Sequence, residues 1–556
     1  MNALLQHLPV LPIVVPLVAG ALLLLVRESR RTVRLGIAFG SLLVQLAAAA
    51  TLLYLTTDAA ADVWVDGIGV YAIGSWPAPF GIVLVIDRLS ALMITLAGVV
   101  GLATLVYSIA YWDRPAQPFH SLYQLLMMGL NGAFLTGDLF NLFVFFEVLL
   151  AASYGLALRG VGALRVRNAL HYIAVNLVAS VLFLLGIAVI YGTVGTLNMA
   201  DLLGKVAALA PGERVLFDAG AGLLGVAFLV KAGAWPLNFW LPSTYSVAIA
   251  PVAASFAMLT KVGVYAVLRI GTLMSQDDAA ASMLPLILYY IGLATLFAGT
   301  VGMLATQHLA RLVAYSVIMS SGLLLTAIGL GVETVTSPVL FYFATSVLTT
   351  AAFFLLTGMT DRTRFGAAPA ATVDEPSPGA VSRSASPSYV AFGVRAPDAY
   401  GTDDEVGAPI PAAAAFLGLM FVCCVLLVAG LPPLPGFVAK FTLLAAALEG
   451  VTTAGEGAVW VLAAGVLGSG FAAIIALARI GIRLFWAGIR RRPRLHVLEA
   501  APVAFLIALC LALSAGSGPA MGFFDAAARS LHEPQTYIRS VLGASGGAAP
   551  AAEVPR

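Results

Sequence analysis

The sequence predicts an all-α polytopic membrane protein of about 14 transmembrane helices, some of them broken, and three observations carry that prediction. Of its 556 residues, 61% are hydrophobic and 10% charged, where a globular domain averages about 45–50% apolar residues even with glycine counted. Apolar windows long enough to cross a bilayer fall near 6–27, 33–55, 80–111, 120–137, 139–158, 168–192, 217–241, 247–270, 283–304, 309–331, 338–358, 412–448, 457–487 and 500–522. The connections between them alternate in charge. Arg30, Arg31 and Arg34, then Arg159 to Arg167, then His308 and Arg311, then Arg362 and Arg364, then Arg490 to Arg494 fall on one side. Asp58, Asp62 and Asp66, Asp138, and Asp277 with Asp278 fall on the other. That alternation predicts basic loops in the cytoplasm and both termini outside.

The opening run lacks a basic n-region and a clear cleavage site, so it reads as the first helix and not as a removed signal peptide. Residues Met199–Glu213 can form a short amphipathic surface helix with Leu202, Leu203, Val206 and Leu209 on one face, or an ordinary connector. Residues 362–411, rich in Pro, Ser, Ala and acidic side chains, cannot build a core and read as a disordered cytoplasmic insert. A net charge of +2 gives no reason to expect nucleic acid as a partner. The cysteines, Cys423, Cys424 and Cys510, form neither a disulfide framework nor a plausible metal box.

Four ionisable residues stand inside these apolar windows: Glu147, Lys231, Lys261 and Lys440. Charge in a hydrocarbon layer is costly and marks function more often than decoration. Burial favours the neutral form of each, while a nearby opposite charge favours the charged form, so a change in the separation of Glu147 and Lys231 would switch the lysine between holding and releasing a proton. Gly233 and Pro236 follow Lys231, and Pro432, Pro433, Pro435 and Gly436 precede Lys440. Both stretches therefore read as broken helices whose unwound backbone lines protein or water. Lys261 follows Lys231 across a connection marked by Pro242 and Pro251, which lets the two lysines approach from neighbouring helices. Hydroxyls and amides complete a possible relay, among them Ser153, Tyr154, Asn176, Ser180, Ser316, Ser320, Tyr342, Thr345, Ser346, Thr349 and Thr350. His171 can shuttle protons because its ordinary titration lies near neutrality, or it can be an interface residue. Asp87 and Arg88 read as a local ion pair fixing a helix start, and Arg479 and Arg483 as an end anchor.

The runs Ile86–Met93, Thr136–Glu147, Lys231–Leu237, Thr260–Tyr265 and Leu431–Phe437 together resemble the antiporter-like membrane family shared by multisubunit monovalent cation/proton antiporters and respiratory NADH dehydrogenase. Within it, the resemblance is to the D-type subunits of the antiporters. It implies 14 helices with two inverted five-helix repeats. The N-terminal helices would occupy 1–119, the first repeat 120–271, the second 283–361 and 412–487 around the 362–411 insert, the last helix 488–522 and an exterior tail 523–556. The resemblance further implies that Glu147 pairs with Lys231, that Lys261 leads to the centre, and that Lys440 ends the proton route. It implies no cofactor and no catalytic residues of its own, other antiporter membrane subunits as partners, protons and sodium or potassium as cargo, and a bacterial inner-membrane location. Many relatives carry a histidine and a lysine where this chain has Thr345 and Thr350, so the second half would rely on hydroxyls, including Tyr342, and water. The rival expectation is a proton-pumping subunit of a redox-driven respiratory complex, which flavin and iron-sulfur partners would reveal. A non-transporting scaffold would instead change assembly but never ion flux when its charges are neutralised.

Overall fold

A computed structural model describes residues 6–27, 29–60, 63–111, 119–160, 162–274, 283–365, 412–450, 455–486 and 495–543. Helices dominate: α1 Leu11–Leu25, α2 Arg31–Leu55, α3 Arg88–Tyr111, α4 Phe119–Leu135, α5 Leu139–Ala157, α6 Ala163–Val194, α7 Met199–Val206, α8 Pro211–Ala232, α9 Trp240–Val247 and α10 Ala250–Met274. The second half continues with α11 Met283–Ala305, α12 Leu309–Ile328, α13 Glu333–Phe365, α14 Ala412–Ala429, α15 Pro435–Glu449, α16 Glu456–Gly481, α17 Val497–Ala515, α18 Ser517–His532 and α19 Pro534–Gly543. Among the described residues, 13 helical segments are long and apolar enough to span a membrane; α4, at 17 residues, packs among them as a shorter companion. The chain is an all-α polytopic membrane protein.

Which helices lie at the centre follows from burial. In α10 and α13 the spanning windows are buried throughout, whereas in α6 and α11 most of the window faces outward from this chain. An all-round apolar helix meets either lipid or protein, and here α10 and α13 meet protein on every side. They carry Lys261 and the Tyr342–Thr350 hydroxyls, so two of the sites singled out in the sequence lie on the central axis.

Local structure departs from the expectation in several places. The window beginning at residue 80 opens with a strand: β1 Gly69–Ala72 pairs antiparallel with β2 Val83–Ile86, a β-branched run suited to a pleated surface. Asp87 then starts α3 by reciprocal capping, its Oδ1 accepting from the Ser90 amide at 2.8 Å while Ser90 Oγ accepts from the Asp87 amide at 2.9 Å. Asp87 does not pair with Arg88. It forms a bidentate ion pair with Arg269 of α10, and Arg88 turns instead to Asp58. Helix α13 also runs through the charged Asp361–Arg364 turn, where hydropathy falls but helical bonding continues. Arg362 there meets the buried Glu499 of α17 in a two-pronged ion pair. The rest of the expected insert, 366–411, lies outside the described residues.

The segment after residue 198 forms α7, capped by Asn198, whose Oδ1 accepts from the amides of Ala200 and Asp201. It buries Leu202 and Val206 of the expected apolar face. Arg479 donates to the Leu304 and Thr306 carbonyls at 2.6 and 2.9 Å, and Arg483 to Gln307 Oε1 at 2.7 Å. These two arginines thus clamp the end of α16 to the α11–α12 connection, where unpaired helix-end carbonyls favour a cation.

Candidate proton-translocation site

Both expected helix breaks exist, and each is set by glycine. Helix α8 stops where Gly233 adopts φ +69°, with the Ala234 amide donating back to the Leu229 carbonyl at 3.0 Å. Helix α14 stops where Gly430 adopts φ +76°, with the Leu431 amide donating to the Leu426 carbonyl at 3.0 Å. A side chain in that left-handed region is strained, which is why glycine ends these helices. Pro236 lies in the first gap and Pro432 and Pro433 in the second, and the helices restart at Trp240 in α9 and Pro435 in α15.

The three lysines expose 5%, 0% and 6% of their surface at 231, 261 and 440, yet each ammonium has acceptors. Lys231 Nζ donates to Asn176 Oδ1 at 3.2 Å and sits 5.9 Å from the Phe146 ring centre. Asn176 is itself held by α6, its Nδ2 donating to the Tyr172 carbonyl at 2.9 Å. Lys261 Nζ donates to Ser320 Oγ at 2.8 Å, with the Phe343 ring 5.9 Å away. Lys440 Nζ donates to the Val428 and Ala429 carbonyls at 3.2 and 2.9 Å. Those carbonyls end α14 at its break, the negative end of the helix dipole, so an unwound segment has become an ammonium seat.

Glu147 behaves differently from a contact partner. It makes no direct ion pair with Lys231 among the described residues: Oε1 is buried with no hydrogen-bond partner. The expected direct pairing of Glu147 with Lys231 is absent, and Asn176 takes the carboxylate's place as acceptor. Tyr154 stacks edge-on against Tyr172 at 5.3 Å, and the Tyr172 and Ser153 hydroxyls lie 2.7 Å apart, which extends the polar line from Glu147 along α5 and α6. Lys231 and Lys261 have separate acceptors, Asn176 and Ser320. Their helices touch: a Cβ on Gly263 would stand 2.5 Å from the Ala232 nitrogen and 2.8 Å from the Phe228 carbonyl, so only glycine lets α10 press against the Lys231 turn.

Between Lys261 and Lys440 lies a small cavity lined by Ser320, Tyr342, Thr345, Ser346, Thr350 and Val428, among others. At about 20 Å³ it has room for about one water molecule. Ser320 is the acceptor of Lys261 and Val428 an acceptor of Lys440, and Tyr342 lines the same cavity. The Thr345 and Thr350 hydroxyls donate to carbonyls of their own helix, at 3.1 Å to Tyr342 and 2.7 Å to Ser346. They thus present lone pairs to the cavity, the right polarity for a donor such as an ammonium or a water. The sequence points to each of these hydroxyls, but it does not single out Asn176 as the partner of Lys231 or the α14 carbonyls as that of Lys440. His171 is not brought to this line. It lies on the exposed side of α6 beside Phe239, ring centres 5.4 Å apart, because its position on the helix faces away from Asn176.

Residues 136–368 match the family model described as NADH:quinone oxidoreductase/Mrp antiporter, TM. Over 553 residues the chain is 48% identical to a probable K(+)/H(+) antiporter D-type subunit of Rhizobium meliloti (strain 1021), covering 97% of this chain and 98% of that one. The chain belongs to the family of D-type antiporter subunits. Another member, the D-type subunit of the Na(+)/H(+) antiporter of Alkalihalophilus pseudofirmus, is 33% identical over 554 residues, covering 97% of this chain and 99% of the relative. The same fold occurs in the structure of the Mrp complex from Dietzia sp. DQ12-45-1b, with TM-score 0.78 and 25% identity over 98% of this chain and 100% of that one.

Proposed function

We propose that protons cross this chain along Glu147, Lys231, Lys261 and Lys440, with Tyr342, Thr345 and Thr350 bridging the last interval. The chain is a proton-translocating subunit of a multisubunit monovalent cation/proton antiporter in the bacterial inner membrane, a transporter subunit and not an enzyme, and its partners are other membrane subunits of that antiporter. The observation that carries the route is the cavity whose two ends are the acceptors of Lys261 and Lys440. Each lysine can exchange its protein acceptor for water or a neighbour, and the membrane potential supplies about 2.3 kcal/mol per charge per 100 mV, more than the roughly 1.4 kcal/mol of one pKa unit.

The full-length relatives, antiporter subunits for potassium and for sodium, favour the antiporter reading over the redox-driven one. We further propose that α4–α10 and α11–α16 form two inverted five-helix repeats. Their support is the recurrence, in matching order, of a helix ended by a left-handed glycine, Gly233 and then Gly430, within each set. An odd number of crossings per repeat inverts the second relative to the first. The charge alternation of the loops supports both termini on the exterior side. Cation-driven proton flux in membrane vesicles carrying the complete complex tests the route at its first member. Glu147→Gln lowers flux by roughly tenfold, about 1.4 kcal/mol on the barrier; normal flux in a normally assembled complex removes Glu147 from the route.

A further inference from the structure

One buried charge pair is not used by this route, although it lies on the Lys261 helix. Asp87 and Arg269 expose only 4% and 5%. Arg269 Nη1 donates to Asp87 Oδ2 at 2.5 Å and Nη2 to Oδ1 at 2.7 Å, and Oδ1 also accepts from the Ser90 amide. The guanidinium lies between two rings, 5.6 Å from the centre of Tyr265 and 5.8 Å from that of Tyr537 in α19. Lys261, Tyr265 and Arg269 recur every four residues and so share one face of α10. At about 1.5 Å per residue, Arg269 stands about 12 Å along the axis from Lys261.

None of these groups can relay a proton as arranged. Arginine does not give up its proton in proteins. Both carboxylate oxygens of Asp87 already accept hydrogen bonds, and the Tyr265 hydroxyl donates to the Phe134 carbonyl at 2.8 Å. We infer that the Asp87–Arg269 pair, covered by Tyr537, is a seal on the Lys261 line at the α19 end of the bundle, which stops protons leaving Lys261 toward that end and leaves the cavity toward Lys440 as the open direction. The inference rests on Lys261 carrying protons. It assigns Asp87 and Arg269 a positioning role beyond fastening α3 to α10.

Arg269→His replaces a cation that cannot release its proton with a smaller one that can, and keeps a partner for Asp87. In vesicles with the assembled complex, the seal predicts a cation-independent proton leak raised about tenfold, and abolished again in Arg269→His combined with Lys261→Met. Arg269→Lys carries the same test should Arg269→His fail to assemble, since it keeps a cation for Asp87 and, unlike arginine, can release its proton when buried. A leak at the wild-type level in an assembled variant overturns the seal and leaves the pair a fastener. A leak that survives Lys261→Met overturns it as well, by placing the breach elsewhere. Lys261→Met alone separates the two readings: loss of exchange there with no leak in Arg269→His sinks only the seal, whereas normal exchange there sinks the proton route on which it rests.

Discussion

Lys231→Arg abolishes cation-driven proton flux as fully as Lys231→Met does, although arginine keeps the positive charge. The native ammonium is held by a neutral acceptor, Asn176 Oδ1 at 3.2 Å. A cation held so weakly can return to neutrality, and the lysine's value lies in that return. Arginine stays protonated under all working conditions, so it occupies the site without releasing cargo. The expected fall in both variants is roughly 100-fold, equivalent to about 2.7 kcal/mol on the barrier, to be measured in vesicles in which the assembled complex is quantified. Full flux in Lys231→Arg would show that position 231 needs charge and not titration.

Gly430→Ala unseats Lys440. The substitution meets two penalties: a left-handed backbone, about 1–2 kcal/mol for a non-glycine residue, and a Cβ placed 2.7 Å from Lys440 Cδ and 2.9 Å from its Nζ. The ammonium then loses the Val428 and Ala429 carbonyls, and exchange falls about tenfold or more. Gly233→Ala is the matched control. It carries the same backbone penalty at φ +69°, but its Cβ meets only the flexible end of Leu241, at 2.9 Å. Equal losses of exchange in the two variants at equal complex yield would mean that the strain of the break, and not the lysine seat, governs transport.

The charges and the breaks were legible in the sequence because each violates a strong local rule: ionisable groups in hydrocarbon, and proline with glycine inside a span. The spans and the hydroxyl cluster followed from hydropathy and helical spacing. Partners distant in sequence were not legible. Asp87 has an arginine beside it at position 88, yet its true partner is 182 residues away, and only the packing of α3 on α10 reveals the exchange. His171 carried the right chemistry, but nothing local said which side of α6 faces the interior. The end of α13 was missed because hydropathy reports on the solvent around a helix, whereas Arg362 stays helical through its bonds and its ion pair with Glu499.

In the proposed route Lys261 joins the two halves: its helix is pressed against the Lys231 turn at Gly263, and its ammonium donates to Ser320, which lines the cavity that Val428, an acceptor of Lys440, also lines. The most direct measurement is cation-driven proton flux in vesicles carrying the complete complex with Lys261→Met, normalised to assembled complex. The route through this chain predicts flux at the background level, and wild-type flux from a fully assembled Lys261→Met complex would contradict it.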